Sequence, residues 1–358
     1  LARPVAKVAG SRLHRRQGRS LRGVTPTNVA ASESPESATE GSSAVGVSCV
    51  GLVGLAVMGQ NLALNIADSG FRVACYNRPD EFQARIWGAL ERAKAEGGTK
   101  GNGPLVMDAF TELEPFVAAL KAPRRILLSI PAGAPVDGAL AALGPLLSRG
   151  DVVIDGGNEH FRATEQRTQK ASEEYGIHWV GMGISGGAKG AREGPSLMPG
   201  CTREAYESLA PIFEAMAAKA EGRACVTHVG PGGSGHYVKM VHNGIEYADM
   251  QMLAEGYDVL KSIGSLSNPE IAKAFEAFDC GPLQSFLVQA VAKIVSHQEP
   301  GEAEGTFLVE AILDKAGAKG TGKWTVQCAA DVGAAVPSVA GGGGGPPPPQ
   351  NAKGPRAG

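Results

Sequence analysis

No run of about 18 apolar residues occurs anywhere in the chain, so no membrane-spanning helix is expected. Metal-ligand spacing is missing too. Cys49, Cys75, Cys201, Cys225, Cys280 and Cys328 are scattered and form no CxxC, so they read as reduced, buried thiols and no metal site is expected. A strong charge of either sign is also lacking. The net charge of -2 gives no reason to expect nucleic acid or an anionic membrane as partner. Acid is absent before Glu33, whereas Arg3, Arg12, Arg15, Arg16, Arg19 and Arg22 all precede it. Residues 1–46 therefore read as a disordered leader with the composition of an organellar transit peptide. Leu1 in place of Met implies a start further upstream. At the other end Gly341 to Gly345 run into Pro346 to Pro349, and residues 336–358 read as a low-complexity tail that does not fold.

What is present is a globular chain: 358 residues, 43% hydrophobic, enough for two domains. Val47 to Val53 is a valine-rich apolar run that ends in Gly54-Leu55-Ala56-Val57-Met58-Gly59, and a helical pattern and a second apolar run, Phe71 to Tyr76, follow. Strand, glycine turn, helix and strand within one such unit is the context a dinucleotide fingerprint requires. The form here is G-x-A-x-x-G. Gly54 permits the sharp turn, Gly59 permits close helix–strand packing, and N–H groups at the helix start face a pyrophosphate. The second run ends in Asn77-Arg78-Pro79, where an NAD site would carry an acid for the ribose 2′-hydroxyl. A guanidinium suits a 2′-phosphate instead, so the expected cofactor is NADP. Further strands lead into Ile130-Pro131-Ala132, Asp155-Gly-Gly-Asn158 and Ser185-Gly186-Gly187. Such loops line the carboxyl ends of a doubly wound sheet, where ligands bind.

The densest chemistry lies in Lys239-Met-Val-His242-Asn243-Gly-Ile-Glu246-Tyr247. On a helix, these five polar residues fall within an arc of roughly 140°. A potential general base and general acid on one face mark a candidate catalytic centre. Val238, Val241, Ile245 and Ala248 form the opposite stripe, expected to pack on a core. Gly317 to Lys323 satisfies G-x-x-x-x-G-K, but Trp324 stands where Ser or Thr would hold Mg²⁺, and residues 307–315 read as helix, so a P-loop is rejected.

Taken in order, these motifs, with Gly194-Pro-Ser-Leu-Met-Pro-Gly200 and Lys319-Gly-Thr321-Gly-Lys-Trp-Thr325, closely resemble the decarboxylating 6-phosphogluconate dehydrogenases over roughly residues 47 to 335. The resemblance implies an α/β fold: a Rossmann-type NADP-binding domain at 47–229, then a mostly helical catalytic and dimerisation domain at 230–335. It implies oxidative decarboxylation of 6-phosphogluconate by NADP and a homodimer; the basic, acid-poor leader adds a plastid location, with the cytoplasm as alternative. The resemblance further implies Lys239 as base and Glu246 as proton donor to C1. His242, Asn243 and Asn158 would orient the substrate, Ser185 to Gly187 would hold its carboxylate end, and Tyr247, Lys319 and Thr321 would reach its phosphate. Pro79 and Pro131 depart from the family pattern and weaken the expected hold on NADP. The helical domain reads as incomplete where the chain turns into Gly and Pro. Two alternatives are a β-hydroxyacid dehydrogenase for a smaller acid, and an inactive NADP-binding relative. The first leaves Glu246 and Tyr247 without a task.

Overall fold

The computed structural model describes residues 48–78, 87, 88, 90, 91, 94, 95, 97–298, 305–312, 317 and 319–343. The leader, Pro79 and residues 344–358 lie outside them. Short apolar runs become the strands Val50–Val53 (β1), Val73–Tyr76 (β2), Met107–Phe110 (β3), Arg125–Leu128 (β4), Val152–Asp155 (β5), His178–Ser185 (β6) and Ser196–Gly200 (β7). Among the described residues they form one sheet in the order β3-β2-β1-β4-β5-β6-β7. β1 to β6 run parallel, and β7 returns antiparallel along β6. The order of the strands, not their direction, reverses between β1 and β4, which opens a crevice at the carboxyl ends of those strands.

Both faces of the sheet are covered, as the continuous burial of β1 and β5 requires. Val57–Asp68 (α1) and Arg203–Met216 (α6) close one face through Leu62, Ile66, Leu209 and Phe213. Leu113–Ala118 (α2), Ala134–Leu143 (α3) and Phe161–Lys170 (α4) lie in the remaining connections, and Phe116, Val136 and Leu140 join the second cluster. A shorter helix, Gly187–Glu193 (α5), links β6 to β7. Beyond the sheet the chain is helical: Ser234–Asp258 (α7), Asn268–Asp279 (α8), Phe286–Ser296 (α9), Leu308–Ala311 (α10), Thr321–Asp331 (α11) and Pro337–Gly343 (α12). The architecture is a Rossmann-type doubly wound domain followed by a mostly helical one, as expected. No helix of the described residues is long and apolar enough to cross a membrane.

The amino-terminal half of α7 lies directly against β6 and β7 because four glycines leave room for it. A Cβ on Gly235 would overlap the carbonyl oxygens of Gly181 and Met198, and one on Gly183 would overlap the Lys239 side chain. A Cβ on Gly200 would in turn meet the Gly235 nitrogen. This contact fixes which face of α7 turns inward, and it differs from expectation. Lys239 is 7% exposed, whereas Val238 is 38% and Ile245 52% exposed. Of the apolar stripe only Ala248 is buried, and the polar face meets the sheet. Two smaller corrections follow. Pro337–Gly343, expected as unstructured tail, is helical, and the bare Cα of Gly342 rests against the Tyr247 carbonyl, where a Cβ would come within 2.5 Å. Cys280, expected buried, caps the end of α8 at the surface and is exposed.

Candidate active site

The glycine turn leaves β1 with Gly54 at φ +91°, a conformation open to glycine at little cost. A Cβ there would lie 2.5 Å from the Ser129 carbonyl oxygen, and one on Gly59 would overlap the Gly54 carbonyl. The Asn77 side chain, at the end of β2, accepts the Leu55 N–H at 3.2 Å and ties the turn to the neighbouring strand. α1 then opens at Ala56 with no side-chain cap, and Ala56 and Val57 are exposed. Uncapped N–H groups facing an open crevice suit a pyrophosphate. Arg78 stands exposed at the same edge, free to meet a 2′-phosphate. Ile130, Pro131 and Ala132 follow β4, and Asn158 follows β5, so the expected cofactor positions in the described residues share one edge of the sheet.

Next to that edge, α7 brings the polar residues together. Ser185, at the end of β6, lies 3.2 Å from His242 Nε2, and His242 Nδ1 lies 3.1 Å from Asn243 Oδ1. Asn243 Nδ2 donates to Thr321 Oγ1 at 3.4 Å, which links α7 to the first residue of α11. A second link runs from Thr325, whose hydroxyl donates to the Met240 carbonyl at 2.8 Å. Glu246 Oε2 lies 3.9 Å from His242 Nδ1. Lys239 sits one turn earlier on the same face. Among the described residues no hydrogen bond or ion pair holds its ammonium, and burial lowers its pKa while the charge of Glu246 acts against the shift. Gly186 and Gly187 are exposed beside Ser185. Tyr247, half-buried, and Lys319, exposed, make no hydrogen bond with this group in the described residues.

Several residues behind the site belong to none of the motifs described above. His236 is 1% exposed and lies one turn before Lys239. Its Nε2 is 3.1 Å from the Asp155 carbonyl oxygen, which can only accept, so Nε2 carries the proton and Nδ1 accepts from the Thr164 hydroxyl at 2.7 Å. Burial lowers its pKa and keeps the ring neutral, against the pull of Asp155 and Glu159. Burial also raises the pKa of Asp155, although His236, the Gly157 N–H and Arg167 oppose the shift. The clue in the sequence is the pair of acids around Asn158, Asp155 and Glu159, with Arg167 on the helix that follows. So many charges beside a strand end must pair once buried.

Two family descriptions match in series: the NAD binding domain of 6-phosphogluconate dehydrogenase at residues 49–230, and the 6-phosphogluconate dehydrogenase C-terminal domain at 235–342. The chain belongs to the 6-phosphogluconate dehydrogenase family. It is 50% identical over 291 residues to the decarboxylating enzyme 1 of Spinacia oleracea, covering 81% of this chain and 58% of that one. To the decarboxylating enzyme of Synechococcus elongatus it is 49% identical, covering 81% of this chain and 59% of the relative. The chain thus spans less than two thirds of these relatives. Among solved structures, Plasmodium falciparum 6-phosphogluconate dehydrogenase, described with NADP+ and with 6-phosphogluconate, superposes with a TM-score of 0.74 at 39% identity, over 82% of this chain and 60% of that one. A 3-hydroxyisobutyrate dehydrogenase from Mycobacterium tuberculosis has a TM-score of 0.59 at 18% identity, a likeness of fold alone.

Proposed function

We propose that this chain carries the site for NADP-dependent oxidative decarboxylation of 6-phospho-D-gluconate to D-ribulose 5-phosphate, CO₂ and NADPH. The observation that carries this reading is Lys239: a buried amine with depressed pKa, on the helix face that also presents His242, Asn243 and Glu246 beside the strand ends. Gly54 to Gly59 and Arg78 would hold NADP+, which would supply the acceptor for the hydride that leaves C3. Neutral Lys239 takes the proton of the 3-hydroxyl, which leaves a β-keto acid whose carbonyl accepts the electrons released with CO₂. The lysine, now protonated, stabilises the enolate oxygen. Glu246 then delivers a proton to C1 of the enediol. Ser185, His242, Asn243 and Asn158 are the proposed hydrogen-bonding partners of the substrate's carboxylate and hydroxyls. Tyr247, Lys319 and Thr321 are the proposed phosphate end.

Two finer readings belong here. A homodimer is supported by the apolar side chains that α7 and α9 leave exposed, Ile245 and Phe286 among them. A plastid location is supported by the basic, acid-poor leader and by relatives from rice and Arabidopsis thaliana that are named chloroplastic. The assay that decides the activity follows absorbance at 340 nm with 6-phosphogluconate and either NADP+ or NAD+. NADPH formation with release of CO₂ is expected. Failure to turn over, with NADP+ still bound, would remove the activity from this chain and leave its family membership intact.

A further inference from the structure

Gly133 ends the loop that follows β4 and caps α3 at φ +86°. Both of its main-chain polar groups are held by one buried ion pair from the next βα unit. Its N–H donates to Glu159 Oε2 at 2.7 Å, and its carbonyl accepts from Arg167 Nη2 at 3.1 Å. The two side chains meet at 2.6 Å, Arg167 Nη1 to Glu159 Oε2, and are 5% and 6% exposed. Glu159 Oε1 accepts the His160 N–H at 2.8 Å, which fixes the chain immediately after Asn158. Arg167 Nε donates to Asp137 Oδ1, in the first turn of α3, at 2.7 Å. Burial would push the Glu159 carboxyl up, yet the Gly133 N–H, Arg167 and the His160 N–H together hold it below its ordinary value.

A buried ion pair is a costly way to fill a core, and apolar residues of similar volume often stabilise as well or better. What this pair adds is geometry. It clamps the β4 loop, Ile130 to Gly133, to the β5 loop that carries Asn158, and it touches neither the glycine turn nor Arg78. The glycine turn leaves β1 and Arg78 follows β2, on the side away from β5, and the NADP reading puts the adenosine half with these two. We propose that Glu159 and Arg167 are positioning residues for the nicotinamide half of the dinucleotide, setting the spacing of the two loops between which that half lies. The inference rests on the NADP reading above and deepens it.

The test is calorimetric titration of the full chain with NADP+ and, separately, with 2′,5′-ADP, which carries only the adenosine half and its 2′-phosphate. Arg167→Lys keeps the charge but loses the fork that reaches Gly133 and Glu159 together. It is expected to weaken NADP+ about tenfold or more and to leave 2′,5′-ADP within about twofold. Arg78→Ala, as contrast, weakens both ligands. If Arg167→Lys does not fold, Glu159→Gln, of the same shape but uncharged, carries the same comparison. Equal weakening of both ligands with a lowered melting temperature would reduce the pair to a structural role and overturn the inference, as would no change in either ligand. A wild-type chain that bound neither ligand would fail at the NADP reading itself, which is a separate result.

Discussion

Lys239 combines two demands that conflict. As the proposed base it must be neutral near the operating pH, and burial, the larger influence on it, moves its pKa down from the ordinary 10.5. The unfolded chain binds that proton more readily than the folded one does. Between the depressed folded pKa and the ordinary value, stability therefore rises with pH; below the folded pKa the buried ammonium is a standing cost. Lys239→Met, similar in length and uncharged, is expected to abolish turnover, leave NADP+ affinity nearly unchanged and stabilise the fold by about 1 kcal/mol in urea denaturation at neutral pH. Destabilisation, or parallel loss of NADP+ binding, would show that the ammonium has a structural partner. In the proposed mechanism the same shift is expected to set the acid limb of the pH–rate profile. Activity falls as pH drops through the folded pKa of Lys239, because a protonated amine takes no proton from the 3-hydroxyl.

At the scale of elements, the seat of α7 on the sheet is the contact on which the site depends, and glycine makes it. Gly235→Ala would drive a methyl into the carbonyls of Gly181 and Met198. A loss on the order of 3 kcal/mol is expected from such overpacking against rigid backbone. Gly138→Ala is the contrast: it lies inside α3 with nothing within 4 Å of the added carbon, and a gain of roughly 0.5–1 kcal/mol is expected from helix propensity. Urea midpoints that moved the same way in both variants would refute the packing argument. These glycines also explain what was legible beforehand. The strands that end in a glycine turn or a conspicuous polar loop could be read from their apolar runs, and so could the fingerprint. β3, half-exposed Met-Asp-Ala-Phe, and β7, which carries Pro199 and Gly200, lack the apolar continuity of buried strands. The orientation of α7 departs from its apolar pattern for a related reason. An apolar stripe normally marks the inward face, but a lysine stem can lie on a strand whose facing residues are Gly181 and Gly183. Spacing also exposed the polar residues of α7, whereas the pairing of Glu159 with Gly133 and Arg167 joins separate βα units and becomes apparent only once the sheet has assembled them.

The whole molecule leaves the outward face of α7 to be accounted for. Val238, Val241, Ile245 and Leu287 line a groove of about 560 Å³ that reaches His242 and Glu246. Other large apolar side chains of the helical domain are exposed too: Met250 is 52% exposed, Ile263 79%, Leu283 60% and Phe286 78%. The small core beneath, Ile271, Phe275, Val288 and Val295, is complete without them, so these side chains are not needed to hold α8 and α9 together. So many exposed large apolar residues exceed what a monomer usually presents, and covering them with a second copy about a two-fold axis is the commonest arrangement among homo-oligomers. Sedimentation velocity of the full chain at about 10 μM is expected to give a dimer, given the ~1,600 Å² that stable interfaces bury. Ile263→Glu with Phe286→Glu should shift it to monomer, because each would desolvate a carboxylate in an apolar contact. A wild-type chain that sediments as a monomer would sink the dimer proposal. NADP+ affinity provides the internal control: its proposed contacts lie on the sheet edge, so the monomeric variant should bind the cofactor as the wild type does even if turnover falls.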